Sequence, residues 1–572
     1  MNRFNFKVFK RFWSLAKLYW LGEEKKGALT LLVLLFILLV AYTQLSVLLL
    51  QQQGNIITYL SAKDADRFWK TIQTFLLILT IYVPLFAGYS FVKQRLGNYW
   101  RRWLTHHFLD RYFNNRAFYE LGNFNNDIDN PDQRIAEDIK GFTIESLTFL
   151  LILVSSVFQV AAFSVVLWKI SSNLVYLLIA YSLIGTLVVV GVFGNKLVKI
   201  NFAQIKKEAD FRFGLVRIRE NSESIAFYQG EEQETQSLKR KFAEAFRNYN
   251  FLILWREVYL GLFTNAYDFF PYILPAVVVA PNVLAGELEV GKVTEAIGAF
   301  ARVFGSLNLI VGQFQSLTAF AASVDRLGTF EDYLDKPKTA LDKDDILACP
   351  TISTVKQNKL ALKNVTLQTP NYQRTLVRDL SFDLPSGSGL LIMGASGCGK
   401  SSLLRAIAGL WNSGTGAIYR PELSEMIFLP QKPYMILGTL RNQLIYPHDD
   451  LDISEHELNY ALAAVNLADL AERSGGFEEE QDWDEILSLG EQQRLAFARI
   501  LINKPRYVVL DEATSALDIK NESSLYQHLI KTNTTFISVG HRHSLVKYHR
   551  WLLEMQEGQE WKLDQVNMLD KK

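Results

Sequence analysis

Residues 390–402 read LLIMGASGCGKSS. A short apolar run, Leu390–Met393, leads into the pattern G-x-x-x-x-G-K-S, and LLRAIAGLW follows with the spacing of a helix. Strand, glycine-rich loop and helix in that order build a phosphate cradle. Gly394, Gly397 and Gly399 let backbone N–H groups curl around phosphate oxygens, and the helix start adds partial positive charge. Ser396 and Ser402 complete the binding loop together with Cys398, whose thiol reads as packing rather than chemistry. Lys400 is spaced to reach the β- and γ-phosphates, and Ser401 to offer its hydroxyl to Mg²⁺.

The residues that follow extend this reading. YVVLDE, Tyr507–Glu512, is an apolar strand ending in paired acids. That placement suits Asp511 for holding magnesium and Glu512 for orienting or deprotonating water. Gln431 follows another apolar strand, MIFLPQ, and is placed to bridge metal and water. LSLGEQQR, Leu487–Arg494, opens a helix with Ser488 and Gly490, as a γ-phosphate at a helix N-terminus requires. His541 ends the strand FISVGH, where an imidazole can contact a γ-phosphate. Short β-type runs alternate with helical segments from residue 359 to 572, the pattern of an α/β domain with a largely parallel sheet.

Upstream the chain changes character. The protein has 572 residues, is 49% hydrophobic, 13% aromatic and 21% charged, and carries a net charge of +1. A balance so near neutral argues against nucleic acid as partner. Two cysteines, Cys349 and Cys398, exclude a disulfide framework. Apolar runs long enough to span a bilayer, about 20 residues, fall only before residue 330. They are Gly27–Leu50, Phe75–Val92, Leu147–Trp168, Leu174–Phe193, about Val258–Ala280, and a weaker one over about Ala296–Ala321.

Arg3, Lys7, Lys10, Arg11, Lys17, Lys25 and Lys26 precede the first span, and the long connections 93–146 and 194–257 are rich in Arg and Lys. Positive charge stays inside, so the N-terminus and these connections are expected on the cytoplasmic side. The connections are long enough to continue neighbouring spans as helices. Leu15–Trp20 has the flanks of an interfacial helix. Residues 1–330 thus read as a membrane domain of six spans with long cytoplasmic extensions, 331–358 as a polar linker, and 359–572 as the nucleotide domain. Gln44, Gln159, Asn265, Asp268, Glu295, Arg302, Asn308 and Gln313 lie at or near membrane depth, where polar groups line wet cavities or pair between helices.

The order of motifs resembles the ATP-binding cassette family over roughly residues 355–560: Walker A at Gly394–Ser401, Q-loop Gln431, signature Leu487–Glu491, Walker B with Glu512, D-loop SALD at Ser515–Asp518, and switch His541. The signature departs from LSGGQ at Leu489 and Glu491, while Ser488 and Gly490 are kept. Tyr372, in TPNYQRTLVRDL, is the candidate for stacking on adenine, at an unusual spacing. NPDQRIAEDI at Asn130–Ile139 and FRFGLVRIRENSESIAFYQGE at Phe211–Glu231 resemble the domain shared by SbmA/BacA-like bacterial transporters and peroxisomal D-subfamily ABC transporters.

The resemblance implies an exporter-type six-span bundle fused to one cassette. It implies ATP and Mg²⁺ as cofactors and ATP hydrolysis coupled to transport. In that family the signature of one cassette closes over the Walker A site of another, and Asp518 of the D-loop counts among the nucleotide-binding residues. The expected unit is therefore a homodimer in the lipid bilayer, of the kind found in a bacterial inner membrane. Large hydrophilic solutes such as peptides or cobalamin are the cargo it favours, moved inward. Fatty acids or acyl-CoA are the alternative, and a proton-coupled carrier with a regulatory cassette, its protons carried by Asp268 or Glu295, is a second.

Overall fold

The computed structural model describes residues 6–124, 128, 130–312, 314–335, 350–449, 451–556 and 559–566. The chain divides into two compact units, one up to residue 339 and the other from residue 340.

The first unit is helical: α1 (Phe6–Trp20), α2 (Lys25–Ser61), α3 (Ala65–Phe113), α4 (Ala117–Phe124), α5 (Pro131–Ile170), α6 (Ser172–Gly194), α7 (Asn195–Glu220), α8 (Ser222–Tyr228), α9 (Glu231–Leu284), α10 (Gly291–Gly312) and α11 (Phe314–Asp335). Five of these, α2, α3, α5, α6 and α9, are long and apolar enough to cross a membrane among the described residues. The sixth expected span falls on α10 and α11, either side of residue 313, and is not one of the five. Glu295 and Arg302 interrupt its apolar run. Gln313 and the side chain of Asn308 lie outside the described residues.

The 49 residues of α3 rise about 74 Å, against about 30 Å of hydrocarbon. The helix therefore continues far beyond the bilayer, as the long connections lead one to expect. Asp64 starts it by accepting the Arg67 N–H at 3.1 Å. Exposed apolar side chains cover the outer faces of α2 and α3, among them Val33, Ile37, Leu77 and Ile81, which lipid would solvate. Leu15 and Tyr19 of α1 are instead buried, Tyr19 stacking on Trp100 at 5.8 Å. Only part of α1, with Phe9 and Trp13 exposed, presents the surface of an interfacial helix.

The segment 130–139 has a structural task. Asn130 takes a left-handed φ of 41° ahead of Pro131, and the buried Arg134 and Asp138 that follow reach α11. Arg134 donates to the Arg326 carbonyl at 2.7 Å, and Asp138 accepts from Arg326 Nε at 2.7 Å. Arg11 pairs with Asp325 and Asp332, and Arg111 with Glu331 and Asp335. Helix α11 is thus tied by charge to α1, α3 and α5.

The second unit carries β1 (Ser353–Lys356), β2 (Leu360–Gln368), β3 (Thr375–Leu384), β4 (Gly389–Gly394), β5 (Gly414–Arg420), β6 (Met426–Leu429), β7 (Gly438–Thr439), β8 (Glu480–Gln481), β9 (Tyr507–Asp511), β10 (Thr535–Val539), β11 (Trp551–Met555) and β12 (Trp561–Gln565). One sheet has the order β1-β5-β2-β3 and the core sheet the order β12-β11-β4-β10-β9-β6. In the core sheet β11, β4, β10, β9 and β6 run parallel, and β12 joins antiparallel. Strand β1 lies within the stretch that reads as linker, because it pairs with β5 as an edge despite its polar sequence.

Val508, Val509, Phe536 and Ile537 are buried on both faces of the core sheet, each contributing about 1.5–3 kcal/mol. His549 is buried against it. Its Nδ1 meets the Leu545 carbonyl and its Nε2 the Ser538 hydroxyl, both at 2.8 Å. Burial pushes its pKa down to about 4, against about 6.5 when unfolded. Between those values the unfolded chain binds more protons, so stability is complete above pH 6.5 and is lost as pH falls toward 4. The loss amounts to about 3 kcal/mol. Thermal melts of the full-length protein from pH 7.5 to 5 are expected to show about 2 kcal/mol of it, and His549→Gln to flatten that slope.

Candidate functional site

The parallel strands put four motifs on one edge of the core sheet. Val539 pairs with both Ile392 and Asp511, and Leu429 with Leu510. The loops after β4, β6, β9 and β10 therefore emerge side by side at the carboxyl ends, where α/β sheets bind ligands.

After β4 the chain forms the phosphate loop. Gly394 has φ 152°, and a Cβ there would meet the Met555 carbonyl oxygen at 2.4 Å. Gly399 has φ 103° and caps α12 (Lys400–Ile407), with Leu376 close beneath it. Side chains are excluded at both positions, which leaves backbone N–H groups to face a ligand. Lys400 Nζ donates to the carbonyls of Gly394 and Ala395, both at 2.9 Å, so its ammonium lies over the loop. Cys398 packs beside Gly394 and against the core.

Ser401 Oγ donates to Asp511 Oδ1 at 2.9 Å. Two oxygens on adjacent corners of a magnesium octahedron lie about 3 Å apart, given metal–oxygen bonds of about 2.1 Å. A hydroxyl and a carboxylate are also the donors that ion prefers, so the pair fits Mg²⁺. Burial raises the Asp511 pKa, with the Ser401 hydrogen bond opposing and Glu512 adding to the rise.

Glu512 sits just beyond β9 at φ 50°, a left-handed conformation held by its N–H donating to the Val539 carbonyl at 3.2 Å. A non-glycine residue is strained there. The turn aims its carboxylate between two neighbours: Gln431 Nε2 donates to Oε2 at 3.0 Å, and His541 Nε2 lies 3.1 Å from Oε1. Gln431 thus spends its amide N–H on Glu512. Carboxylate, amide and imidazole converge at the sheet edge that carries the Ser401–Asp511 pair. Such a set can hold a water and accept its proton.

The signature lies elsewhere. Ser488 is the N-cap of α13 (Leu489–Asn503) and forms a capping box with Glu491, Ser488 N–H donating to Glu491 Oε2 at 2.9 Å. Burial opposes ionisation of Glu491. The Ser488 hydrogen bonds and Arg473 outweigh it and hold the carboxyl below its usual range. The Gln-to-Glu departure in the signature therefore has a local reason: either residue closes a capping box, and the carboxylate adds the ion pair with Arg473. Asp518 caps α14 (Ile519–Lys531), accepting the Asn521 N–H at 2.8 Å, which lowers its pKa. Among the described residues, no hydrogen bond joins Ser488, Gly490 or Asp518 to residues 394–402 of the same chain. Tyr372 has φ 57° in the β2–β3 turn, and its hydroxyl donates to the Pro350 carbonyl at 3.4 Å.

Two residues escape the sequence reading. Gln493 is buried on α13 and donates to the Gln431 carbonyl at 2.8 Å while accepting the Ala516 N–H at 3.1 Å. Arg542, next to His541, donates to the carbonyls of Leu517 at 2.8 Å and Ser515 at 3.0 Å. Together they fasten the loops bearing Gln431, His541 and Asp518. Their adjacency to motifs was the only signal, because the bonds depend on tertiary placement.

A helical membrane unit joined in one chain to a P-loop nucleotide-binding unit defines a nucleotide-dependent membrane transporter. Residues 15–284 match the family "ABC transporter transmembrane region 2", and residues 377–515 the family "ABC transporter". An uncharacterized ABC transporter ATP-binding protein of Synechocystis sp. is 47% identical over 514 residues, covering 89% of this chain and 78% of that protein. ABC transporter D family member 2, chloroplastic, of Arabidopsis thaliana is 37% identical, covering 98% and 89%. Lysosomal cobalamin transporter ABCD4 of Mus musculus is 31% identical, covering 99% and 98%. The chain belongs to the ABC transporter family, with D-subfamily and bacterial members among its relatives.

Proposed function

We propose that this chain is half of a homodimeric, ATP-hydrolysing transporter that moves large hydrophilic solutes, peptides or cobalamin-like molecules, inward across a bacterial inner membrane. The convergence of Gln431 and His541 on Glu512, beside Ser401 and Asp511, carries the reading. Backbone N–H groups of residues 394–402 and Lys400 hold the triphosphate of ATP. Ser401 and Asp511, with Gln431 beside them, would hold magnesium, which would supply charge neutralisation at the phosphates. Glu512 takes the proton of the attacking water, and His541 keeps the carboxylate in place. Ser488, Gly490 and Asp518 act on the partner's site, and Tyr372 stacks on the adenine.

The N-terminus and cassette lie on the cytoplasmic side, following the Lys and Arg of residues 1–26. A hydrophilic cargo is supported by polar groups within the spans: Gln44 is exposed on α2 and Asp268 on α9, and Gln159 reaches Ser306 at 3.2 Å. The relative described as a cobalamin transporter adds to it. A proton carrier draws less support, since buried Glu295 is paired with Lys292 at 2.9 Å. Reconstituted in liposomes and screened with peptides, cobalamins and acyl-CoAs, the protein is expected to hydrolyse ATP faster with a peptide or cobalamin and to accumulate it. Stimulation by acyl-CoA alone would reassign the cargo. Accumulation that survives Lys400→Ala and collapses with an uncoupler would overturn ATP as the driver.

A further inference from the structure

The start of α13 already holds an anion of its own. Glu491 Oε2 accepts the Ser488 N–H at 2.9 Å and the Ser488 hydroxyl at 2.8 Å. A serine hydroxyl has one proton to give, so Ser488 does not serve Glu491 and a γ-phosphate at once. The two acceptors also carry like charge and compete for the same partially positive helix end. On the reading above, Ser488 acts on the triphosphate held by the other chain. Docking there requires Glu491 to yield.

Arg473 is the place to which it yields. Its Nη2 donates to the other oxygen of the carboxylate, Glu491 Oε1, and among the described residues no other cation pairs with Glu491. The arginine is fixed at its base. Leu470 and Ser474, in and just after the helical turn Leu470–Arg473, are buried, and Ser474 Oγ donates to the Leu470 carbonyl at 2.7 Å. Its remaining ion-pair contact is loose: the exposed Asp469 lies 3.7 Å from Nε, beyond hydrogen-bonding distance. A guanidinium forks across both oxygens of a carboxylate. Arg473 is therefore able to take Oε2 as well as Oε1 once Ser488 releases it.

We propose that Arg473 is a positioning residue of the shared ATP site: by drawing Glu491 onto its guanidinium, it frees the Ser488 hydroxyl and N–H for the γ-phosphate of ATP held by the other chain. The proposal rests on the homodimeric reading above and adds to it a residue outside the signature. Arg473 acts through the charge of Glu491, so its effect vanishes where residue 491 is a neutral glutamine. Full-length protein is titrated with ATP in two ways. In the Glu512→Gln background, closure of the cassettes is read without turnover, by energy transfer between fluorescent proteins fused to the C-termini of the two chains. With Glu512 intact, the ATP concentration for half-maximal turnover is measured.

R473Q is expected to raise both midpoints about threefold to fivefold, while turnover at saturating ATP falls by less than that. R473K, which keeps the charge and loses the fork, is expected to lie between R473Q and the wild type. Combined with E491Q, R473Q is expected to move neither midpoint. An arginine needed only by the fold would lower the melting temperature and leave both midpoints where they were, and that result overturns the proposal. So does an R473Q effect of the same size with glutamine at 491. Where R473Q does not fold, R473K carries the test: midpoints raised with glutamate at 491 and unmoved with glutamine support the proposal, and any other pattern overturns it. ATP-driven closure that is present but insensitive to Arg473 overturns this proposal alone. Closure absent from the Glu512→Gln protein with Arg473 intact overturns the shared-site reading, and this proposal with it.

Discussion

Glu512→Gln is expected to lower ATP turnover by about 10²–10⁴-fold and to leave ATP binding nearly intact. The carboxylate occupies a left-handed position at φ 50° and is met from one side by Gln431 and from the other by His541. Glutamine has the same length and fills the same space. Its amide oxygen accepts from Gln431 Nε2 and its NH₂ faces His541 Nε2, so the geometry survives. A proton acceptor is all that is lost. The groups proposed to bind ATP are the loop N–H groups, Lys400 and Ser401, and among the described residues none of them touches residue 512 through a hydrogen bond. The measurements are single-turnover hydrolysis and titration with a fluorescent ATP analogue. Wild-type turnover in the variant would remove Glu512 from the chemistry, whereas loss of both binding and turnover would make its role structural.

Why the motifs were legible and the hub residues were not follows from how each is encoded. Gly394, Gly399, Lys400 and Ser401 act within eight consecutive residues, so spacing alone declares them. Asp511 and Glu512 end a strand whose apolar run is equally local. Gln493 and Arg542 act by reaching loops 62 and 25 residues away, and no pattern along the chain foretells that. The bundle shows the same division. Spans such as α2 stand out because their apolar run is unbroken, whereas Glu295 and Arg302 dilute the run around α10, whose place among the helices is clear only from packing. Glu491 reads in the sequence as a departure from LSGGQ; its partnership with Ser488 and Arg473 explains it only once the helix start is seen.

Two variants that are each inactive are expected to recover activity when combined. Lys400→Ala strips the ammonium from the phosphate loop, and Ser488→Arg blocks the start of α13. In the proposed two-fold dimer each composite site would take Lys400 from one chain and Ser488 from the other, so either homodimer would have both sites broken. A mixed dimer places both changes in one site and leaves the second site complete. Random pairing makes half of the dimers mixed, and each has one working site of two. Turnover of about a quarter of wild type follows if the sites act independently, against near zero for either variant alone. The structure motivates the test, because Ser488 is engaged in its own capping box and makes no hydrogen bond to residues 394–402 of its own chain. Tagging the two variants differently and purifying through both tags isolates the mixed dimer and raises the expected value to about half. Full inactivity of that mixed dimer, with nucleotide still bound, would mean that the two sites fire only together. Wild-type activity in the Ser488→Arg homodimer would mean that α13 takes no part in the site, and the shared-site arrangement would fall.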